Sequence, residues 1–529
     1  MEPRQPKPPR PLMARPPMPV AADGRERSGA PDLPRDQLPP GPLSASLEQN
    51  RQVLARALGF QESFDVVFKD LEIERRRALL VGLDGFLKDD VLLRVAQFLV
   101  REGPDLGLTS TVERLEGAGA VYVETATART FAEVLEAVLA GQAALLVDGL
   151  DRAVVIDQRT YPARGPDEPS LERVVRGPRD GFTETLVYNT ALIRRRMRDP
   201  NLRFELLQVG KRSRTDVVLA YVRDIADPDL LRRIRSYIKA IDVDGLPMAE
   251  KSLEEFLVPE KRWWNPFPTV RYSERPDVVA AHLHEGHVAV LVDTSPSVML
   301  LPATFFHHMQ HAQEFHDEPI TGAAVRWLRL AGFLAAWFLP PLWLALALTP
   351  EVLPPALEFI GPREPAVVPL GLQFILSELA ANLVWIALVH TPEALATSLG
   401  LVGALLLGQQ AVEVGLFSVE ALFYTAVAFI GTFATPSVEL GNAVRFMRVL
   451  LLVTTAVGGL AGFAVGAALT LWLMASTRSF GTPYLYPLWP FRGRELLNVL
   501  FRRPAPSRHF RPSFTHPIDP DVRRGPSRR

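Results

Sequence analysis

The chain has 529 residues, with 58 Lys and Arg against 59 Asp and Glu and a formal net charge of -1, so it lacks the strong basic excess of a nucleic-acid binder. It contains no cysteine, which excludes disulfides, thiolate metal sites and a cysteine nucleophile. A mean hydropathy of +0.09 would pass for a soluble protein, but the average hides an uneven distribution: Val325 to Ser476 is nearly continuous Leu, Ala, Val, Phe and Gly.

Residues 1–45 are rich in Pro and Arg with few large apolar side chains, too little to offset the entropy of ordering, and a disordered tail is expected. The start carries positive charge without an apolar core segment. It is therefore not a secretory signal, and the N-terminal region is expected to stay on the cytosolic side.

Two segments then repeat a pattern. RRRALLVGLDGFLKDDVLLRVAQFL and later VLAGQAALLVDG are matched by SRTDVVLAYVRDIADPDLLRRIRSYI and HLHEGHVAVLVDT. In each, a β-branched and Leu-rich run reads as a buried strand, followed by an acidic turn and a helix with apolar residues at three- and four-residue spacing. Asp90 aligns with Asp229, and Val91 and Leu92 with Leu230 and Leu231. Gly141 precedes Asp148 by the same interval as Gly286 precedes Asp293. Such self-similarity predicts a duplication: α/β subdomain 1 over 46–165, a linker over 166–189 carrying the GPRDGF motif, and α/β subdomain 2 over 190–320.

In the linker, Gly177-Pro178 and Asp180-Gly181 punctuate turns. A helix is predicted to begin at Thr183 and Glu184 and to end in Arg194, Arg195, Arg196 and Arg198. The helix dipole favours such a cluster at a C-terminus. It serves either as a solvated, dipole-compensating end or as a contact for another subunit or an anionic lipid headgroup.

Histidines gather before the apolar block: His282, His284, His287, His307, His308, His311 and His316. His307 and His311 could share a helix face as metal ligands, but no third ligand or carboxylate stands in frame, and HEGH has the wrong spacing for a helical zinc site. A modest pH response or ordinary interfacial packing remains. The sequence has no GxxxxGK[ST], no GxSxG and no recognisable pair of catalytic carboxylates. No enzyme activity, metal or cofactor is assigned.

The membrane domain is placed at 321–480, with apolar stretches Val325–Leu348, Val367–Val389, Leu395–Leu416, Phe417–Thr435 and Val449–Ser476, each near the roughly 20 residues that span hydrocarbon. Pro340 and Pro341 are expected to kink the first. Arg478, Arg492, Arg494, Arg502 and Arg503 favour the inside. This predicts four full crossings plus one re-entrant or interfacial segment, both termini inside, and a cytosol-side tail over 481–529 that is disordered from about Pro504.

Polar residues within these stretches are costly unless they face a partner or water. Gln373, Glu378 and Asn382 mark the second stretch, and Gln409, Gln410 and Glu413 the third, with Glu378 and Asn382, and Gln409 and Glu413, at i and i+4. Two readings stand. Gln373, Glu378, Asn382, Gln409 and Glu413 line a water-filled path, where rings of Glu in an oligomer would favour cations, or the amides are packing glue and Glu413 lies at a membrane edge. Gly458, Gly462 and Gly466 form a small-residue packing face. The fold class read from the chain is an α+β/α membrane protein: two related small α/β cytosol-side subdomains followed by an α-helical transmembrane bundle of four to five apolar segments.

The segments VVRGPRDGFTETLVYNTALIRRRMRDPNL, AIDVDGLPMAEKSLEEFL, WNPFPTVRYSERPDVVAAHLHEGHVAVLVDTSPSV, LPATFFHHMQHAQEF and TRSFGTPYLYPLWPF closely resemble the GerA-type spore germination A-subunit family. The resemblance covers about residues 45–515. Departures from the germinant-receptor branch at 273–277, 284–287 and 293–296 argue against direct nutrient sensing. The resemblance implies a multi-pass protein of the spore inner membrane that supports germination, with its N-terminal region on the core side. It further implies a homo-oligomer, of pentameric type, that conducts ions and has other inner-membrane germination proteins and membrane lipid as partners. The alternative is a non-conducting scaffold that organises such proteins.

Overall fold

The computed structural model describes residues 41–73, 76–87, 125–157, 169, 172–258, 263–354, 360–364, 366–390, 412–502, 504 and 510–522. Residues 1–40 of the expected tail, Asp90 to Leu92, parts of the 166–189 linker, Gln409 and Gln410 with most of the third apolar stretch, and Arg503 lie outside the described residues.

Two five-stranded antiparallel sheets precede the apolar block. The first unit contains α1 (Leu47–Leu58), β1 (Val66–Ile73), β2 (Arg76–Leu83), β3 (Thr125–Ala128), α2 (Phe131–Leu139), β4 (Ala143–Val147) and β5 (Ala153–Ile156), with strand order β1-β2-β4-β5-β3. The second contains α3 (Leu186–Arg196), β6 (Leu202–Val209), β7 (Thr215–Val222), α4 (Pro228–Lys239), α5 (Ala249–Leu257), β8 (Arg271–Ser273), α6 (Pro276–His284), β9 (Val288–Val292) and β10 (Val298–Leu301), in order β6-β7-β9-β10-β8. The orders are the same. Central strands β4 and β9 are apolar and buried at every residue, as Val- and Leu-rich runs covered on both faces require.

The likeness extends to single hydrogen bonds. The Asp148 carboxylate accepts from the Leu47 amide at 3.1 Å and Asp293 from the Leu186 amide at 3.3 Å, each tying a strand end to a helix start. Asn50 exchanges two bonds with the Ser44 backbone as Asn189 does with Thr183. Gly141 and Gly286 both adopt φ of 93°, a left-handed turn that glycine takes without strain.

Short helices α7 (Phe305–Met309) and α8 (Gln313–His316) lead to α9 (Pro319–Leu348), α10 (Leu370–His390), α11 (Val419–Phe433) and α12 (Val438–Ser476). Among the described residues three helices, α9, α10 and α12, are long and apolar enough to cross a membrane, against the expected four to five segments. The stretch at Phe417–Thr435 shortens to the 15-residue α11, and most of Leu395–Leu416 is not described.

The last helix also differs from expectation. It starts at Val438, before the expected Val449, and is broken at Gly459 (φ 54°, ψ -136°), a conformation open to glycine. The chain folds back there: a Cβ on Gly462 or Gly466 would collide with Thr454, whereas eight to twelve residues of straight helix would separate them by roughly 12–18 Å. Helices α9 and α11 meet as closely, since a Cβ on Gly431 would strike the Gly332 carbonyl. Small residues at such crossings let backbones touch in the absence of a hydrophobic drive between helices.

The C-terminal segment departs from the disorder its composition predicts. Arg511 donates to the carbonyls of His284 and Asp519, each at 2.7 Å, Thr515 Oγ1 donates to the Glu285 carbonyl at 2.8 Å, and Phe514 is buried. A few specific anchors hold a stretch whose average composition is that of a tail.

Candidate functional site

The helix bundle encloses a charged centre. Arg448 on α12 is wholly buried and grips Glu378 of α10 in bidentate fashion, Nε to Oε2 at 3.0 Å and Nη2 to Oε1 at 2.6 Å. Its Nη1 donates to the Ala336 carbonyl on α9 at 2.7 Å and to Thr432 Oγ1 on α11 at 3.2 Å. Ala336 is four residues before Pro340, which has no N–H to give it, so the guanidinium takes the carbonyl that the proline vacates. With that carbonyl satisfied, α9 continues as one helix through Pro340 and Pro341. One side chain thereby joins all four helices. Beside it, the Arg445 guanidinium lies 4.5 Å from the Trp385 ring centroid and 5.7 Å from that of Phe433, within the range of cation–π attraction.

The predicted polar residues divide. Gln373 is buried, donates to the Val368 carbonyl at 2.7 Å and accepts from the Ser418 amide and hydroxyl at 2.8 and 3.0 Å, locking the start of α11 to α10. Asn382 donates to the carbonyl and carboxylate of Glu378 at 2.8 and 3.2 Å. Glu413 is exposed, and Gln409 is not described. Of the predicted set, Glu378 alone joins the charged centre directly. Arg448 stands outside that set because the last apolar run begins, by hydropathy, at Val449, and a glutamate inside a neighbouring apolar helix is the signal that calls for such a cation.

The arginine cluster also turns inward. Arg194 is buried and bonds Asp65 of the first unit through Nε at 3.0 Å and Nη2 at 2.8 Å. It also donates to the Asp199 and Leu202 carbonyls and lies over Phe204. Arg196 grips Asp180 at 2.5 and 2.6 Å. Arg195 and Arg198 are exposed at the surface. Arg194 is thus a joint between the two α/β units, reinforced by the Phe64 amide donating to the Phe204 carbonyl at 3.0 Å and the Phe204 amide to Ser63 Oγ at 3.0 Å.

Below the bundle, His282, His287 and His307 converge with ring centroids 4.9 to 5.6 Å apart, and Phe514 packs on the last two. Their Nδ1 atoms are committed: His282 to the Val278 carbonyl, His287 to the His282 carbonyl, and His307 to Thr304. Burial, with Arg271 nearby, holds His282 and His307 well below the usual imidazole range and lowers His287 to about 4. Neutral rings are favoured. Among the described residues no group of three or more His, Cys, Asp or Glu is arranged to hold a metal ion.

A cavity of about 330 Å³ opens next to this cluster, between the second sheet and the start of α12, with Glu172, Arg271, Tyr272, His307, His308 and Ser437 in its lining. His308 Nδ1 lies 3.2 Å from Ser437 Oγ, the hydroxyl that caps α12 through the Leu440 amide. On the other side, buried Glu314 pairs with Arg326 at 2.7 Å and with Arg329, both on α9. The α/β region is therefore bonded to two membrane helices where they enter the bundle.

The profile of the Bacillus/Clostridium GerA spore germination protein family matches residues 55–514. Stage V sporulation protein AF of Bacillus subtilis is 43% identical over 89% of this chain and 95% of its own length. Spore germination protein KA of Bacillus subtilis is 29% identical over 92% of this chain and 90% of its own. The crystal structure of the N-terminal domain of the A subunit of the Bacillus megaterium germinant receptor GerK3 aligns with a TM-score of 0.39 and 25% identity, covering 50% of this chain and 98% of that one.

Proposed function

This chain belongs to the Bacillus/Clostridium GerA spore germination protein family, and from that premise we propose that it is a membrane subunit of an oligomeric ion-conducting assembly. That assembly supports ion or dipicolinate release during germination. The observation that carries the reading is the Arg448–Glu378 pair, because ionisable groups inside an apolar bundle are expensive and mark ion paths or their gates. Its bonds reach α9, α10 and α11 at once, so a shift of α12 would move all of them. Ser437, at the head of α12, is held by His308, which supplies a route from the α/β region to the charged centre. In this reading the pair clamps the closed state, and Glu413 and Gln409 line the path between subunits. The oligomer is pentameric, sits in the spore inner membrane beside other germination proteins, and keeps its α/β region on the core side.

A second reading, a non-conducting scaffold, is favoured by one observation: Gln373, Glu378 and Asn382 all find partners within the chain, as packing glue would. Liposome reconstitution separates the two. Monovalent-cation flux that is lost or changed in Gln409→Leu with Glu413→Leu supports the channel. Absence of flux under every trigger, beside a conducting germinant-receptor control, supports the scaffold.

A further inference from the structure

Beyond the last membrane helix the chain turns apolar again on its surface. Leu488 is 48% exposed, Trp489 67% and Phe491 70%. They lead into the amphipathic helix α13 (Gly493–Leu500). Its Leu496, Val499 and Leu500 pack on the bundle core, while Leu497 and, just past the helix, Phe501 stay about half exposed. Arg492 and Arg494 are exposed in the same segment. In water such a row of large apolar side chains would be an aggregation liability.

Its height in the molecule gives it another use. Arg326 donates to the Val499 carbonyl and the Trp327 ring meets that of Phe501 in a tilted contact with centroids 5.8 Å apart, and past Arg329 helix α9 carries no further charge to its end. The apolar part of α9 thus begins where α13 lies. At the end of α12, Asn265 donates to Thr477 Oγ1 at 2.8 Å, which holds the almost fully exposed Trp263 close to that helix end.

We propose that Leu488–Phe501 is an in-plane membrane element. Leu488, Trp489, Phe491, Leu497 and Phe501 sit at the boundary of headgroups and acyl chains, Arg492 and Arg494 meet anionic headgroups, and Trp263, near the end of α12, adds a further aromatic anchor. Aromatic side chains favour this depth, amphipathic helices lie in it with their apolar face down, and basic residues beside it are drawn to an anionic leaflet. The element continues directly from the membrane block and fixes the height of the α/β region over the bilayer. It rests on the placement of the helices in a membrane but not on ion conduction.

The absence of native cysteine allows a direct test on the full chain in vesicles of phosphatidylcholine and phosphatidylglycerol. Trp489→Cys, Phe491→Cys and Leu497→Cys would each carry a spin label. Val453→Cys on the lipid side of α12 and Arg212→Cys on the α/β surface serve as references. Collision rates with oxygen, which partitions into lipid, and with a water-soluble nickel chelate report depth. The expected result is oxygen access above nickel access at all three sites, at depths between the two references. Nickel access equal to that at position 212 overturns the proposal, as does exclusion of both reagents, which would mean that a second copy of the chain covers the segment. A label at 453 that is open to nickel would overturn the membrane placement as well.

Discussion

Two buried arginine–carboxylate pairs hold this molecule together in two different solvents. Arg194 and Asp65 join the α/β units, and Arg448 and Glu378 join the helices of the bundle, with every side chain at 3% exposure or less. Around the Arg194–Asp65 pair the polar neighbours include the Ser63 hydroxyl and the Asp199 and Leu202 carbonyls. Around Glu378 there are apolar helices and the carbonyl freed by a proline. If the Arg194–Asp65 pair loses one partner, solvent can enter the joint and hydrate the survivor. At the level of the bundle it cannot do so without opening the helices.

The largest expected effect follows from that difference. Glu378→Ala leaves Arg448 charged and buried, which costs about 3–5 kcal/mol in a protein interior and more where lipid surrounds the site. We expect a near-complete loss of monodisperse protein in detergent, measured by size-exclusion chromatography. Glu378→Leu with Arg448→Leu should recover most of it, though not all, since the Ala336 carbonyl then has no donor. Full recovery would mean that the proline-vacated carbonyl does not matter.

Asp65→Ala is expected to act less strongly, at about 3 kcal/mol, because Arg194 keeps the Asp199 and Leu202 carbonyls and the face of Phe204. Limited proteolysis should show the two α/β units separating while the bundle stays resistant. Equal loss of the bundle would erase the distinction between the two pairs.

Legibility from sequence follows the same divide. The duplication was visible because each unit writes its strands and turns locally: Gly141 and Asp148 stand at the spacing of Gly286 and Asp293, and that spacing places both aspartates on helix starts. Glu378 stood out as a charge in an apolar run. Its partner did not, because hydropathy alone set the boundary at Val449 and left Arg448 outside. The Arg194–Asp65 joint spans 129 residues, and no local pattern announces it. The helix over Leu186–Arg196 was legible, yet the inward direction of Arg194 was not. The docking of Phe514 was hidden by a composition that elsewhere signals disorder.

The histidine cluster lies between the two regions and should respond to acid. Its folded-state imidazoles are depressed below the ordinary value of 6.5, His287 to about 4, so an unfolded chain binds protons first as pH falls. For His287 the stabilisation from the neutral ring is complete above about pH 6.5 and declines through the window down to 4, by roughly 1.4 kcal/mol per unit in the middle of that range, and His282 and His307 act in the same direction. Thermal unfolding in detergent should therefore weaken between pH 7 and 5. His287→Phe should flatten the slope. An unchanged slope would place the acid response elsewhere.

The smallest effect completes the comparison. Arg51 and Asp70 form a third pair, at 2.5 Å, but with side chains 33% and 66% exposed. Its geometry is as short as that of the buried pairs, and a count of ion pairs would weigh all three alike. Exposed pairs contribute about 0–1 kcal/mol because water solvates either partner once the other is gone. Asp70→Asn should thus leave the denaturation midpoint within about 1 kcal/mol of the parent, and raised salt should shrink even that difference. If Asp70→Asn instead matched Asp65→Ala, desolvation could not be what separates these pairs, and the ranking that places Glu378 first would lose its physical basis.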